Sequence, residues 1–101
     1  MTSQTKRLDL QNASQIAELF ATLGDASRVR IIAALVDSEQ NVSTIAEIVG
    51  ISASAVSHHM RVLRQMRFVR ATKKGREVFY SIDDDHIADL FQRGLEHVLH
   101  S

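Results

Sequence analysis

Ser52-Ala53-Ser54-Ala55-Val56-Ser57-His58-His59-Met60-Arg61-Val62-Leu63 is the stretch on which the fold turns. Ser52 stands where a helix needs a side-chain oxygen for its first free N–H groups, and the pattern predicts a helix from there to about Gln65. Val56, Met60 and Leu63 fall at i, i+4 and i+7 and are expected to pack inward. Ser54, Ser57, His58 and Arg61 fall at i, i+3, i+4 and i+7 and form a second face of hydroxyls, an imidazole and a cation. Such a face can reach phosphates and base edges. His59 borders the apolar side and reads as a packed, partly buried histidine.

Immediately upstream, Ser43 is expected to cap a short helix holding Ile45, Ala46 and Val49, closed by Gly50. Two helices joined by a tight glycine-containing turn form a helix-turn-helix, whose second helix enters the major groove of DNA. Further upstream, Ile16, Leu19, Phe20 and Leu23 recur at helical spacing over residues 11–22. Gly24 breaks that helix, and another begins near Asp25 or Ala26 with Val29, Ile32, Ala33 and Val36 as its apolar positions. Downstream, Phe68 to Thr72 and Glu77 to Ile82 read as two strands around Lys73-Lys74-Gly75-Arg76, a hairpin with glycine at its tip. Val78, Tyr80 and Ile82 are its expected inward positions. A hairpin with a basic tip beside a recognition helix is a wing, expected to touch the sugar-phosphate backbone or the minor groove.

Charge supports a nucleic-acid partner. The 101-residue chain has a formal net charge of zero, but its halves are unequal. From Ile48 to Arg76 there is no acidic residue, while Arg61, Arg64, Arg67, Arg70, Lys73, Lys74 and Arg76 supply seven positive charges. The rest of the chain carries five basic and twelve acidic residues. A basic stripe of this kind is the electrostatic footprint of a DNA site, whatever the total. Lys and Gly are also ordinary turn residues, which is the plainer account of the hairpin tip.

The final helix, from about Asp84, carries Ile87, Leu90, Phe91, Leu95 and Val98 as its apolar stripe and four metal-ligand types: Asp84, His86, His97 and His100. His86 and His97 are eleven residues apart, three turns, so they share a side of the helix. They also lie roughly 16 Å apart along the axis, whereas zinc–nitrogen bonds are about 2 Å. One helix cannot close this site. Asp84 with His100, and His86 with His97, share a midpoint near residue 92, so two antiparallel copies crossing there would bring Asp84 and His86 of one against His97 and His100 of the other. Ala88 and Gly94 near that point would allow close approach. The pattern therefore reads as an isologous dimer with two metal sites. Taken singly, the residues have a plainer account: aspartates cap and stabilise a helix start, and histidines suit its end.

Three imidazoles and a carboxylate fill a tetrahedron, which suits Zn(II), with Co(II) as a substitute. Four protein ligands leave no open position for an activated water, which argues against an enzyme. The chain has no Cys, so disulfides and thiolate sites are excluded. Absent Pro suits a mostly helical chain. No apolar run approaches the ~20 residues of a membrane span and no signal peptide opens the chain, so a cytoplasmic protein without a membrane partner is expected. The expected architecture is mainly α with a small β-hairpin: a homodimeric winged helix-turn-helix of order α-α-α-α-β-β-α. Residues 1–10 read as an N-terminal tail and 11–101 as the DNA-binding domain with its C-terminal metal-binding dimerisation helix.

Three stretches, Leu23-Gly24-Asp25-Ala26-Ser27-Arg28-Val29-Arg30-Ile31, Ser52 to Leu63, and Phe79-Tyr80-Ser81-Ile82, resemble the ArsR/SmtB family of winged-helix repressors over almost the whole chain. Asp84-x-His86 with His97-x-x-His100 resembles its zinc- and cobalt-responsive branch. The resemblance implies a homodimer that binds a palindromic operator when metal-free and releases it when metal binds. It assigns Asp84, His86, His97 and His100 to the metal, Ser54, Ser57 and His58 to the major groove, and Lys73, Lys74 and Arg76 to the backbone. The chain departs from the family twice. The third helix lacks the cysteine motif of the arsenic, cadmium and lead sensors, and Ala53 stands where relatives often have glutamine. A regulator with purely structural zinc, or one answering a non-metal signal, is the alternative.

Overall fold

The computed structural model describes residues 8–100. In chain order the elements are α1 (Leu10–Leu23), α2 (Ala26–Val36), β1 (Gln40–Asn41), α3 (Val42–Val49), α4 (Ala53–Gln65), β2 (Val69–Lys74), β3 (Glu77–Ile82) and α5 (Asp85–Leu99). Most of the tail expected at residues 1–10 lies outside the described residues, and α1 already begins at Leu10.

All five helices start on a side chain that accepts a backbone N–H. Asp9 caps α1, Asp25 caps α2, Asn41 caps α3, Ser52 caps α4 and Asp84 caps α5. The start of α3 differs from expectation. The Asn41 side-chain oxygen accepts the Thr44 N–H at 2.8 Å, so Ser43 lies inside the first turn rather than at the cap. Gly50 closes α3 at φ 77°, a left-handed conformation that costs glycine little, and its N–H returns to the Ala46 carbonyl. Arg67 has φ 61° and turns the chain from α4 into β2 without a glycine.

The wing is a three-stranded antiparallel sheet of order β1-β3-β2 rather than a bare hairpin. β1 pairs Gln40 with Tyr80 and Asn41 with Phe79. β2 runs two residues beyond the expected Thr72, so Lys74 pairs with Glu77 and Gly75-Arg76 is the whole turn. Gly75 has φ 64°, the positive value required at the first central position of a tight hairpin turn.

The core lies between α2, α3, α4, the start of β2 and the start of α5. Its fully buried members are Ile31, Ile32, Leu35, Ile45, Val49, Val56, Met60 and Leu63, with Phe68, Val69 and Ile87 close behind. Val56, Met60 and Leu63 are thus inward as expected. In α2 the buried positions are Ile31, Ile32 and Leu35, whereas Val29 and Ala33 are exposed. This helix is apolar nearly all round, so its pattern does not fix which side turns inward. Val78 is exposed as well, because it sits near the hairpin tip beyond the core, while Tyr80 and Ile82 pack against it.

Much of the apolar stripe outside this core remains open. Leu19 and Leu23 of α1 pack on the core, but Ile16 and Phe20 stay exposed. On α5 only Ile87 is buried, while Val98 and Leu99 are 68% and 69% exposed. Together α1, α2 and α5 line an apolar groove of about 520 Å³ that includes Phe20, Val29, Phe91, Gly94, Leu95 and Val98. No helix among the described residues is long and apolar enough to cross a membrane.

Candidate DNA interface and metal-ligand helix

The inward packing of Val56, Met60 and Leu63 fixes the rotation of α4 and leaves Ser54, Ser57, His58 and Arg61 all exposed on its other side. His59 is half-buried and does different work. Its Nδ1 accepts from Arg28 Nε at 3.1 Å, and Arg28 Nη1 donates to the Thr22 carbonyl at 3.3 Å. One guanidinium therefore ties the recognition helix to the α1–α2 corner. Asp25, which caps that corner, is held below the usual carboxylate range by the Arg28 backbone N–H and then by nearby His59. Arg30 donates to the Val49 and Ile48 carbonyls, closing the C-terminal end of α3 with a cation. These contacts brace the helix-turn-helix from behind.

The wing residues Lys73, Lys74 and Arg76 are all exposed. Lys74 is tied by Glu39 and its ammonium lies 5.2 Å from the centre of the Phe79 ring. Arg70 reaches the Ser81 hydroxyl at 3.3 Å and Asp83 at 3.7 Å. The stretch without acidic residues in sequence thus receives acidic partners in space. Asn41 also donates to Glu77 at 2.7 Å, fastening β1 to the hairpin. Among the described residues, Arg61, Arg64, Arg67, Lys73 and Arg76 remain without an ion pair.

Sequence reasoning placed Arg61 but not what surrounds it. A cleft of about 450 Å³ lies between α4 and β3, lined by Ser57, Arg61, Arg64, Gln65 and Tyr80. The signal for Arg64 was available, since it continues the Ser57–Arg61 face at i+7. Tyr80 comes to the cleft only through the tertiary fold.

On α5 the structure joins two of the four ligand candidates. The Asp84 Oδ1 accepts the His86 backbone N–H at 2.8 Å and lies 2.7 Å from His86 Nδ1. Those contacts, the amide first, hold the Asp84 carboxyl below the usual carboxylate range. Oδ2 has no partner among the described residues, and the His86 side chain is 92% exposed. His97 lies in the last turn and His100 is the C-terminal cap, at the far end of the helix. Among the described residues no three His, Cys, Asp or Glu side chains gather within one chain. The capping role expected of Asp84 is thus present, and one protomer does not bring the four candidates together.

Comparison with known proteins places this architecture. Residues 25–71 match the family model described as bacterial regulatory protein, arsR family. The transcriptional repressor SmtB homolog of Synechocystis sp. is 39% identical over 98 residues, covering 97% of this chain and 74% of that protein. The cadmium resistance transcriptional regulatory protein CadC homolog of Staphylococcus aureus is 34% identical over 93 residues, covering 91% of this chain and 77% of the relative. The homodimeric winged helix-turn-helix DNA-binding domain of Mb0332 from Mycobacterium bovis superposes with a TM-score of 0.80 at 25% identity, covering 100% of this chain and 96% of that one.

Proposed function

The chain belongs to the ArsR family of bacterial transcriptional regulators, DNA-binding winged helices rather than enzymes, and from that premise we propose a homodimeric repressor that holds operator DNA when metal-free and releases it when Zn(II) or Co(II) binds across two α5 helices. The carrying observation is the build of α5. It has a preset Asp84–His86 pair at one end, His97 and His100 at the other, and an uncovered apolar groove with Gly94 between them. A second copy crossing near residue 92 would cover that groove and oppose the two ends. The cadmium-resistance relative and the homodimeric neighbour support the same class of behaviour.

The donor set fits the ion. Asp84 Oδ1 and His86 Nδ1 already lie 2.7 Å apart at the exposed start of the helix, so a carboxylate oxygen and a ring nitrogen would reach one ion once that contact is exchanged for it. His97 and His100 of the partner subunit would complete three nitrogens and one oxygen, a tetrahedral zinc set. Zn(II) bound there supplies a cross-link that restricts the angle between protomers. Ser54, Ser57, His58 and Arg61 would read or grip DNA from the exposed face of α4, and Lys73, Lys74 and Arg76 would touch its backbone from the wing. The two recognition helices must meet half-sites about 34 Å apart, so a rotation at the α5 crossing changes DNA affinity. A cytoplasmic location goes with this role.

The test is fluorescence anisotropy with a duplex selected from a random-sequence library by the metal-free protein, across a panel of metals, with His97→Asn as the comparison. Release by Zn(II) or Co(II) in the parent and its loss in His97→Asn, with metal-free binding intact, is the expected result. Linkage demands reciprocity: the duplex must weaken zinc binding by the factor by which zinc weakens DNA binding. Tighter DNA binding with zinc would assign the metal a structural role, no release of the parent by any metal would point to a non-metal signal, and release that persists in His97→Asn would remove His97 from the site.

A further inference from the structure

Four cations around the helix-turn-helix are engaged: Arg28 by His59 and Thr22, Arg30 by the end of α3, Arg70 by Asp83, Lys74 by Glu39. Of the five cations without an ion pair in the basic stretch, Arg61 and Arg64 share one place. With Ser57 they fall at i, i+4 and i+7 on one face of α4, and both line the 450 Å³ cleft against β3. Neither guanidinium has a hydrogen bond or carboxylate partner among the described residues. Two like charges one turn apart repel modestly on a helix, so nothing within the protomer recommends the pairing. The opposite wall is Tyr80, half-buried with its ring against the core and its hydroxyl without a partner among the described residues. Gln65 adds an amide at the same rim.

We propose that this cleft seats a backbone phosphate of duplex DNA between Arg61, Arg64 and the Tyr80 hydroxyl. The proposal rests on the DNA-binding reading above and adds Arg64 and Tyr80 to it, two residues outside the recognition-helix N-terminus and the wing tip. A phosphodiester offers one negative charge and exposed acceptor oxygens, which suits a guanidinium fork and a phenol O–H. A duplex is favoured over a free anion because Ser57 and Arg61 belong both to the cleft and to the exposed face of α4. β3, the far wall, also carries the wing. DNA lying against that face and the wing passes its backbone over the cleft between them. Such a contact sets register and affinity without reading sequence.

The experiment compares Arg64→Gln and Tyr80→Phe with the parent, all metal-free, on the selected duplex and on an unrelated duplex of equal length over a KCl series. Arg64→Gln should weaken both duplexes by the same factor, about tenfold, and reduce the salt slope by about one per protomer. Tyr80→Phe removes a neutral donor, so it should weaken both duplexes about threefold and leave the slope unchanged. Circular dichroism verifies that each variant keeps its fold. Parent-like affinity and slope in Arg64→Gln would overturn the assignment, and so would a loss confined to the selected duplex, which marks a base contact. Saturable binding of inorganic phosphate at Arg64 and Tyr80, seen by NMR, with an unchanged DNA slope in Arg64→Gln would instead make this a free-anion site. If the parent binds no duplex, the DNA-binding reading itself falls, which distinguishes that failure from failure of the cleft.

Discussion

Gly94 provides a test whose sign depends on whether two copies of α5 cross. In one protomer, a Cβ built at Gly94 meets nothing within 4 Å. Gly94→Ala should therefore gain the helix-propensity difference, about 1 kcal/mol, with no packing cost. That gain is present in monomer and dimer alike, so it cancels from association. A crossing near residue 92 places the new methyl group where two backbones approach, and overpacking costs typically ~1–3 kcal/mol at each site. Two-fold symmetry inserts the methyl twice. The dimer should be weakened by about 2–6 kcal/mol, a factor of roughly 30 to more than 10,000 in dissociation constant. Sedimentation equilibrium of the metal-free protein across a wide concentration range measures this directly. Thermal melts below the dissociation constant, monitored by circular dichroism, isolate the monomer gain, since dimer stability varies with concentration. A more stable monomer with an unweakened dimer would show that the helices do not meet at Gly94, and the shared four-ligand site would lose its geometric basis.

Asp84 caps α5 and is a proposed zinc ligand, two roles that substitution can separate. Asp84→Asn keeps a capping oxygen and should leave the urea midpoint of the metal-free protein near that of the parent, while zinc affinity drops by about 100-fold or more, beyond the 10–100-fold loss typical of outer-shell partners. Asp84→Ala should lose zinc equally and lower the urea midpoint as well; equal midpoints for Ala and Asn would remove the capping role. Acid should act through the same groups. The carboxyls of Asp25 and Asp84 are held below their ordinary value in the folded chain, so their contribution to stability is complete above the unfolded value of about 4 and is lost as pH falls through the folded one. Urea midpoints measured from pH 7 to pH 2 should fall in that acid window, and Asp25→Asn should flatten part of the fall.

Several features were legible because they depend on short-range periodicity. The split of α4 into Val56, Met60 and Leu63 against Ser54, Ser57, His58 and Arg61 follows from a 3.6-residue repeat in a helix that is amphipathic. Gly50 and the Gly75 turn follow from backbone sterics at positive φ. β1 escaped because two residues carry no period, and Gln40 and Asn41 become a strand only by pairing with Tyr80 and Phe79. The apolar positions of α2 do not single out an inward side, because apolar residues surround nearly the whole helix; the contacts with α3 and β3 choose Ile31, Ile32 and Leu35. Tyr80 is an expected inward position of its strand. Its ring does pack against the core, but its place on the wall of a basic cleft depends on how α4 lies against the sheet.

The sequence shows the helix-turn-helix, the polar face of its second helix, and Asp84, His86, His97 and His100 as four ligand-type side chains on one helix. It also determined that one straight helix cannot gather those four, since the rise per residue sets their separation. Only the tertiary structure decided which charges stay free. Lys74 meets Glu39 across 35 residues of chain, Arg28 meets His59 across 31, and Arg61 and Arg64 are left facing an open cleft. The physical reason is range. Periodicity and capping act within a turn or two of helix, whereas ion pairs depend on which distant segments the packed core brings within about 4 Å of each other.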